Sequence, residues 1–356
     1  MKKLLIIGPF PPLFSYGGPT KSIKSLYDIF SKTDIQCSVL SPDIHLDGTK
    51  LKEVNINSDI VFCKNQFFYL ISNFHRFDII WLNSFFDLKI LLLCIIKIFY
   101  NFHLIISPRG QLSSKAIDTS KPLLKKIFIK ITLIFKSNIL FHSTSSSESK
   151  DIAHFFKNNK ISQISNLFIL DYKQNFVQKR KFIFYSRIHK KKGLDILLQT
   201  IKKYNLKIDL DIYGFIEDKA YWKLCKNYID KCSGVKYVGP LEDGDISKIK
   251  NTYCFFILPT LNENFGHVII ELLSIGCIPI LSKQTNPFDE ETNAIFNLNF
   301  ELHDSEDIKR VIENANKMSA SNLIELKKKV KPYFDKLNKQ ESTRKKYYQL
   351  ISDLSS

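Results

Sequence analysis

The sequence has no pair or cluster of cysteines with the spacing of a metal site. Its seven cysteines include no Cys-x-x-Cys pair and no His/Cys group at zinc spacing, and several of them lie in apolar runs. Cysteines in such positions are typical of reduced core residues in a cytosolic protein. We therefore expect neither a disulfide framework nor a zinc site.

The sequence also lacks an uninterrupted apolar run long enough to cross a bilayer, which takes about 20 residues. The best candidate, Leu88–Tyr100, is interrupted by Lys89 and Lys97, and we predict that it is a buried helix. The apolar run near the start of the chain ends at Gly8 and has no small-residue cleavage site. We interpret it as a first β-strand rather than as a signal peptide.

Acidic residues are scarce relative to basic ones. The chain has 52 Lys and Arg against 35 Asp and Glu, which gives a formal net charge of +17. Such an excess favours anionic partners, among them nucleic acid, a lipid surface or phosphate-bearing substrates. No nucleic-acid module and no pattern of stacking aromatics is present, so nucleic acid is not expected. The length of 356 residues suits two domains.

Two successive series of strand-like runs alternate with helical stretches, the pattern of two doubly wound α/β domains. The strand-like runs are Leu4–Ile7, Gln36–Leu40, Ile60–Cys63, Ile79–Leu82 and His103–Ser107, then Phe182–Tyr185, Ile208–Tyr213, Lys236–Val238, Cys254–Leu258 and Ile278–Ser282. Predicted helices include Lys21–Phe30, Gly193–Tyr204, Ala220–Cys232, Ser305–Met318 and Ser321–Leu354. We expect domains at 1–175 and 176–335 and a C-terminal helix at 336–356 that packs back on the first domain.

A polar loop follows the strand-like run that ends at Leu258. It carries Glu263, turns at Gly266 and opens an apolar helix that carries Glu271. Open α/β sheets bind ligands at the carboxyl ends of their strands, and a helix N-terminus attracts phosphate. Two carboxylates beside a phosphate site favour a sugar nucleotide, although an ordinary βαβ turn with incidental acids is the alternative.

A second loop, at 186–193, places Arg187 and Lys192 five residues apart just before a predicted helix. Arginine offers a rigid fork to phosphate oxygens and lysine offers a compact point charge. The alternative is a solvated basic loop without a ligand.

These two loops resemble motifs of one enzyme family. Glu-Asn-Phe-Gly-His-Val-Ile-Ile-Glu at 263–271 resembles the Glu-x7-Glu signature of retaining glycosyltransferases with the two-domain GT-B fold, specifically glycosyltransferase family 4 of the bacterial surface-polysaccharide type. The loop at 186–193 resembles the family's Gly-Arg-x4-Lys-Gly motif, with Ser186 in place of the usual first glycine. The resemblance implies two Rossmann-like doubly wound parallel-sheet domains facing each other across a cleft, an acceptor-side domain first and a sugar-nucleotide-binding domain second.

The resemblance also implies roles for individual residues. The catalytic candidates are Glu263, Arg187 and Lys192, of which the two cations clamp the donor diphosphate. The donor-binding candidates are Gly17, Gly18, Asn264, Phe265, Gly266 and Glu271. Since the cations and the helix N-terminus neutralise the departing diphosphate, we expect no metal and no cofactor. Family proposals favour front-face substitution without a protein nucleophile.

Two segments of the first domain add to the resemblance. Gly17 and Gly18 match a glycine-rich turn after the first strand, although a plain turn is the alternative. Ser-Pro-Arg-Gly-Gln-Leu at 107–112 matches a cleft segment, which makes Arg109 a candidate for binding acceptor phosphate or donor sugar. Some relatives place a histidine in this cleft, and none stands at this motif, so the acceptor-activating base stays open.

A basic amphipathic segment, Leu123–Lys136, contains no acidic residue. On a helix, one face holds Leu123, Leu124, Ile127, Phe128, Ile131, Ile134 and Phe135, and the other holds Lys125, Lys126, Lys130 and Lys136 together with Ile129 and Leu133. Such a helix lies on an anionic bilayer or docks on its own domain with a basic outer face. The two apolar residues on the lysine side favour membrane contact.

We therefore expect a metal-independent, retaining hexosyl- or other glycosyltransferase. It would move a sugar from a nucleotide-sugar donor to a glycan or polyprenyl-diphosphate-linked acceptor in bacterial capsule, O-antigen, lipopolysaccharide or exopolysaccharide synthesis. It would be cytoplasmic and peripheral on the inner face of the plasma membrane. The alternative is a non-catalytic basic membrane- or polyanion-binding protein with a degenerate GT-B fold. The family match weakens at 283–303, so the donor sugar is not transferable from relatives.

Overall fold

The structure is a computed structural model. It describes residues 2–46, 48–51, 59–119, 121–135, 139–168, 170–175, 177, 179–241, 245–261, 266–283, 289–338 and 340–354. The chain forms two compact units, one of Met1–Ile169 with Gln340–Ser356 and one of Leu170–Lys339. The sequence had suggested boundaries after residues 175 and 335.

The first unit contains a seven-stranded sheet in the order β3-β2-β1-β4-β5-β6-β7. Its strands are β1 Lys3–Ile7, β2 Gln36–Ser41, β3 Ile60–Phe62, β4 Ile79–Leu82, β5 His103–Ile106, β6 Ile139–Ser143 and β7 Ile161–Gln163. Every pairing between these strands is parallel. The central strands are continuous apolar runs because helices cover both faces of the sheet.

Seven helices belong to the described part of this unit. They are α1 Gly18–Phe30, α2 Gln66–Asn73, α3 Lys89–Phe99, α4 Ser114–Thr119, α5 Pro122–Ile134, α6 Ser146–Phe155 and, from the C-terminal segment, α13 Gln340–Asp353. Apolar residues of α1 and α13 form one core cluster with Leu4 and Ile6. Those of α2 to α6 form a second cluster with Leu5 and Ile7, whose side chains point to the opposite face of the strand.

The second unit contains a five-stranded sheet in the order β10-β9-β8-β11-β12, again parallel throughout. The strands are β8 Lys181–Tyr185, β9 Asp209–Tyr213, β10 Val235–Gly239, β11 Phe255–Leu258 and β12 Ile278–Leu281. The helices are α7 Leu194–Lys203, α8 Lys219–Ile229, α9 His267–Ser274, α10 Asp289–Phe296, α11 Ser305–Lys317 and α12 Ala320–Leu337.

The prediction of two doubly wound parallel-sheet α/β units is confirmed. The predicted helix Ser321–Leu354 is two helices, α12 in the second unit and α13 in the first. Strands β6 and β7 were not among the predicted strand-like runs, and the three residues of β7 are partly exposed and include a serine and a glutamine. The predicted buried helix at 88–100 is buried on one face only, where Ile90, Leu93 and Cys94 lie.

Helix α5 packs with a different face from the one that the sequence suggested. Ile129 and Thr132 are buried, and Leu133 packs against the core, so the argument that apolar residues on the lysine side favour membrane contact was wrong. Lys125 lies on the packed side, where its ammonium group donates to the Ala116 carbonyl. Lys136 lies outside the described residues.

Candidate functional site

Two loops of the second unit meet at the carboxyl ends of neighbouring strands. The basic loop follows β8, and the loop that begins at Pro259 follows β11, which pairs with β8. The Lys191 carbonyl accepts hydrogen bonds from the Leu261 amide at 2.9 Å and from Thr260 Oγ1 at 3.1 Å. The backbone thus brings the predicted diphosphate-binding loop against the start of the predicted sugar-binding loop.

Gly193 closes this junction. Its φ is +64°, and a Cβ atom at this position would lie 1.9 Å from the Pro259 carbonyl oxygen. Only glycine lets the two backbones approach this closely in this conformation. The sequence identified Gly193 as part of a motif, and the structure supplies the packing reason for it.

Arg187 forms an ion pair with Glu217, which lies beyond the end of β9, with Nη1 and Oε2 2.8 Å apart. Both side chains are partly exposed, at 35% for Arg187 and 27% for Glu217. Partly exposed ion pairs of this kind contribute about 0–1 kcal/mol to stability. A phosphate group that offers a stronger charge therefore competes readily for the guanidinium.

His189 shapes the turn that carries the lysines. Its Nδ1 accepts a hydrogen bond from the Lys191 amide at 3.1 Å, which requires an unprotonated Nδ1. Burial lowers the pKa of the His189 ring, an effect that nearby Glu217 opposes. The positive charges of Arg187 and Lys191 lower this pKa further. The half-buried Lys192 follows in the same turn, and its amide donates to the His189 carbonyl at 2.8 Å.

Helix α9 begins directly after Gly266, which has a left-handed conformation with φ +66° and ψ +44°. Glu271 lies on α9 and is only 5% exposed. Its carbonyl accepts from Ser274 Oγ at 2.7 Å. Glu263, Asn264 and Phe265 lie outside the described residues.

The departure at Ser186 from the family motif has a structural counterpart. Ser186 pairs with the end of β9 through its amide, which donates to the Tyr213 carbonyl at 3.1 Å. A Cβ atom on Gly214 would lie 1.7 Å from the Ser186 carbonyl oxygen. The close approach of these two strand ends is therefore provided by the glycine at 214, and a serine fits at 186.

In the first unit, Arg109 joins the ends of three strands. Its Nη2 and Nε donate to Asn83 Oδ1 at 2.5 and 3.2 Å, and its Nη1 donates to Asn166 Oδ1 at 2.6 Å. Burial lowers the pKa of the guanidinium, and Tyr347 and Glu148 oppose that shift. The group stays cationic at neutral pH.

The loop that holds Arg109 is fixed by a buried carboxylate. Glu148, which is 2% exposed, accepts from the Gly110 amide at 2.6 Å with one oxygen. Its other oxygen accepts from the amide and the hydroxyl of Thr144, each at 2.7 Å. Arg109 itself has φ +55°, an uncommon conformation for a residue with a side chain.

A buried histidine that the sequence analysis did not identify lies beside this arginine. His142 is fully buried, with Nδ1 2.8 Å from Ser107 Oγ and Nε2 3.0 Å from the Ile164 carbonyl. Trp81 Nε1 donates to the same Ser107 oxygen at 2.8 Å, and the Tyr347 hydroxyl lies 3.3 Å from Nε2. Burial lowers the pKa of His142 well below its usual value. The sequence feature that could have identified His142 is its position as a histidine within the apolar run of β6.

Gly17 and Gly18 lie at the start of α1, after β1, with Gly17 at φ +67°. They and Arg109 belong to the first unit, whereas Arg187, Lys192 and Glu271 belong to the second.

Two classes of feature are absent from the part of the chain that the structure describes. No group of three or more His, Cys, Asp or Glu residues there is arranged to hold a metal ion. Likewise, none of the described helices combines the length and the apolar character that a bilayer-spanning segment requires.

Comparisons with known proteins agree with this organisation. Residues 170–333 match the family of group 1 glycosyl transferases. The fold is similar to sucrose-phosphate synthase from Thermosynechococcus elongatus, with a TM-score of 0.74 and 14% identity over 99% of both chains. It is also similar to HepE from Anabaena, solved in complex with UDP and glucose, with a TM-score of 0.74 and 13% identity over 99% of this chain and 100% of that one.

A third similar structure is trehalose-6-phosphate synthase from E. coli bound with UDP-2-fluoro glucose, with a TM-score of 0.67 and 12% identity over 99% of both chains. A search of curated proteins found no match. Most of the second unit thus matches the group 1 glycosyl transferases, and the chain as a whole has the GT-B fold.

Proposed function

We propose that this protein transfers a sugar from a nucleotide-sugar donor that the second unit binds. The observation that carries the proposal is the junction at the Lys191 carbonyl, which joins the Arg187–Lys192 loop to the loop before α9. Arg187 and Lys192 belong to the loop after β8, and α9 begins after the loop that follows β11, within the segment that matches the group 1 glycosyl transferases. This combination suits a ligand with two phosphates.

The two cations and the α9 N-terminus stabilise the negative charge that develops on the departing nucleoside diphosphate. Arg187 releases Glu217 and binds the diphosphate, and Lys192 adds a second positive charge. Glu271 accepts hydrogen bonds from the ribose hydroxyls. The reaction retains the anomeric configuration by front-face substitution and uses no metal, and Glu263, Asn264 and Phe265 contact the donor sugar.

The acceptor is a bacterial surface glycan or its polyprenyl-diphosphate-linked precursor, and Arg109 binds an anionic group on it. Two observations support this assignment. The guanidinium has two amide partners and no carboxylate at ion-pair distance among the described residues. The Asn83 amide nitrogen is buried without a hydrogen-bond partner in that same part of the chain. Buried donors of this kind are stabilised by an acceptor-rich ligand. Gly17 and Gly18 let a ligand approach the backbone after β1.

Such an enzyme works in the cytoplasm at the inner face of the plasma membrane, where lipid-linked acceptors are found. The non-catalytic alternative keeps the same basic surface without turnover. The two functions differ in one measurable property, which is specific nucleotide binding.

The test is thermal unfolding of the full chain with UDP, GDP, ADP and CMP and with their common sugar conjugates. UDP comes first, because two similar structures contain it or a derivative. A ligand at about 100 times its dissociation constant stabilises the folded state by about 2.7 kcal/mol. We expect one base to raise the melting temperature, and Arg187→Ala or Lys192→Ala to abolish that shift without unfolding the protein.

The matched control is Lys231→Ala, which removes a lysine from an exposed turn of the same unit. It should leave the shift intact. If no nucleotide changes the melting temperature, or if the Arg187 and Lys192 variants respond as the unaltered chain does, the donor site is wrongly assigned.

A further inference from the structure

We infer that one side of the first unit is a docking surface for an anionic lipid bilayer. The surface consists of the outward faces of α2, α3 and α5 and is called the apolar surface below. Its members are large apolar residues that are each at least 38% exposed. They are Phe67, Phe68, Ile71, Leu88, Ile95, Ile98, Phe99, Tyr100, Leu123, Leu124, Ile127, Ile131 and Ile134.

Exposed apolar residues are concentrated here. Thirteen of the eighteen large hydrophobic side chains that are exposed in the described chain belong to this surface. Phe99 and Ile134 are each 75% exposed, and Leu123 is 70% exposed. Single exposed apolar residues need no explanation, but soluble monomers rarely expose contiguous apolar patches larger than a few hundred Å².

The three helices lie on the same face of the sheet. Leu70 of α2, Leu93 of α3 and Ile129 of α5 belong to one core cluster, separate from the cluster under α1 and α13. The inner faces of α2, α3 and α5 are therefore filled by their own domain. The exposed residues form a second apolar face on these helices, and this face does not contribute to the core of the unit.

Contacts between the helix ends join the three helices into one surface. Phe74, just after α2, packs on Tyr100, just after α3, with ring centroids 4.6 Å apart. Phe86, just before α3, packs on Phe128 of α5 with centroids 5.9 Å apart. Lys125 of α5 lies over the same Phe86 ring at 5.4 Å.

Charge identifies the occupant. The three helices contain five lysines and no aspartate or glutamate. Lys126 and Lys130 are exposed between the apolar residues of α5, whereas Lys89 is paired with Asp87 at 2.7 Å. Apolar side chains mixed with lysines, without acids, are the composition of a helix at the interface of an anionic membrane.

Other occupants fit less well. A second copy of the chain would bring Lys126 and Lys130 against the same lysine-rich face, because a two-fold interface pairs a surface with itself. Charged residues are also depleted at the centre of protein interfaces. Nucleic acid would leave the apolar side chains unused. No described helix is suited to crossing the bilayer, so the surface would lie on the membrane.

The experiment is co-sedimentation of the full chain with vesicles of phosphatidylcholine alone and of phosphatidylcholine mixed with phosphatidylglycerol. We expect binding to the mixed vesicles that weakens with added salt, and little binding to the neutral ones. The triple variant Phe99→Ser/Leu123→Ser/Ile134→Ser should weaken binding by at least about tenfold, because it removes apolar area that the membrane buries. Lys126→Gln and Lys130→Gln should each weaken it about fivefold.

The matched control is Leu224→Ser/Ile324→Ser, which removes two apolar side chains of the second unit that are 43% and 46% exposed. Its binding should equal that of the unaltered chain. Equal binding to neutral and mixed vesicles, or unchanged binding of the triple variant, would overturn the inference. So would a dimer in light scattering that the triple variant dissociates while no vesicle binding is seen.

The inference does not depend on the proposed transferase activity, since vesicle binding is measured without a nucleotide. Its failure is distinguishable from failure of the donor site in the same preparation. The triple variant should keep the full nucleotide-dependent shift in melting temperature, whereas Lys192→Ala should keep full vesicle binding.

Discussion

Both units place polar side chains at the carboxyl ends of parallel strands, but they fix them in different ways. In the first unit, the Arg109, Glu148 and His142 side chains are held by side-chain hydrogen bonds in a largely buried network. In the second unit, backbone hydrogen bonds hold the loop, and its cationic side chains are less buried, although Lys192 is half-buried. Arg187 shares a partly exposed ion pair, and Lys190 and Lys191 are exposed.

The difference matters for ligand binding. A side chain in a closed network reorganises only at the expense of its partners, because an orphaned buried polar group costs about 1–3 kcal/mol. A side chain on a rigid backbone turn exchanges solvent for a ligand without that loss. We therefore expect the second unit to bind and release a charged ligand more readily, whereas the first unit holds one arginine in a fixed orientation.

The variant with the largest expected effect is Gly193→Ala, which disrupts the close backbone packing in the second unit. The added Cβ would lie 1.9 Å from the Pro259 carbonyl oxygen at a φ of +64°. We expect a loss of about 3–5 kcal/mol in the free energy of unfolding of this unit, together with loss of nucleotide binding. Urea unfolding followed by Trp222 fluorescence in a Trp81→Phe background reports on this unit alone.

Gly239→Ala is the control. Its φ of +113° is also unfavourable for alanine, but no described residue lies within 4 Å of the added Cβ. Backbone strain alone costs about 1–3 kcal/mol. If the two variants lose equal stability, close packing at Gly193 is not what holds the two loops together.

The second test addresses the closed network of the first unit. His142→Leu removes one of the two side-chain partners of the Ser107 hydroxyl, the other being Trp81, and also the ring nitrogen that contacts the Ile164 carbonyl. We expect this unit to lose about 2–4 kcal/mol, measured by Trp81 fluorescence in a Trp222→Phe background. His154→Leu, at an exposed position of α6, should change stability by less than about 0.5 kcal/mol.

His142→Leu should also change how the stability of the first unit depends on pH. Burial holds the pKa of His142 well below 6.5, so the folded state keeps the ring neutral while the unfolded chain binds a proton near pH 6.5. Stability is therefore fully present above pH 6.5 and falls as the pH drops below it, by up to about 1.4 kcal/mol per pH unit for one proton. His142→Leu should show a shallower loss between pH 7 and 5. An unchanged slope would mean that other groups carry the acid sensitivity.

The sequence predicted the backbone architecture better than the contacts. Strands buried on both faces are apolar runs, so β4 was predicted with its observed bounds, Ile79–Leu82. Periodicity separated the two faces of α5 but did not show which face packs, because both contain apolar residues. Ile129 belongs to the core, and Leu123 and Leu124 point outward.

Contacts between residues far apart in the sequence could not be predicted from local sequence patterns. The Lys191 carbonyl meets Thr260, 69 residues away, and His142 meets Tyr347, 205 residues away. The motif identified Arg187 as a cation for phosphate, but its ion pair with Glu217 depends on how the ends of β8 and β9 lie side by side. The predicted roles of Glu263, Asn264 and Phe265 remain predictions.

The smallest expected effect comes from changing Glu217, the partner of Arg187. This change tests the second unit directly, because it alters one side chain of a partly exposed ion pair and leaves the backbone unchanged. Glu217→Gln removes a negative charge that competes with a diphosphate for Arg187, while the amide still holds the side chain near the guanidinium. We expect the nucleotide to bind about threefold more tightly, in line with a partly exposed charge interaction of less than about 1 kcal/mol. Isothermal titration of the nucleotide found in the thermal screen measures it.

Glu325→Gln makes the same change in charge on the exposed face of α12, where Glu325 pairs with Lys328 at 2.8 Å, and should leave affinity unchanged. If both variants tighten nucleotide binding equally, the cause is the overall electrostatic potential of the unit rather than competition between Glu217 and the nucleotide for Arg187. If Glu217→Gln weakens binding instead, Glu217 positions the arginine for the ligand. The second unit would then resemble the first, with its functional cation held in place by a required partner.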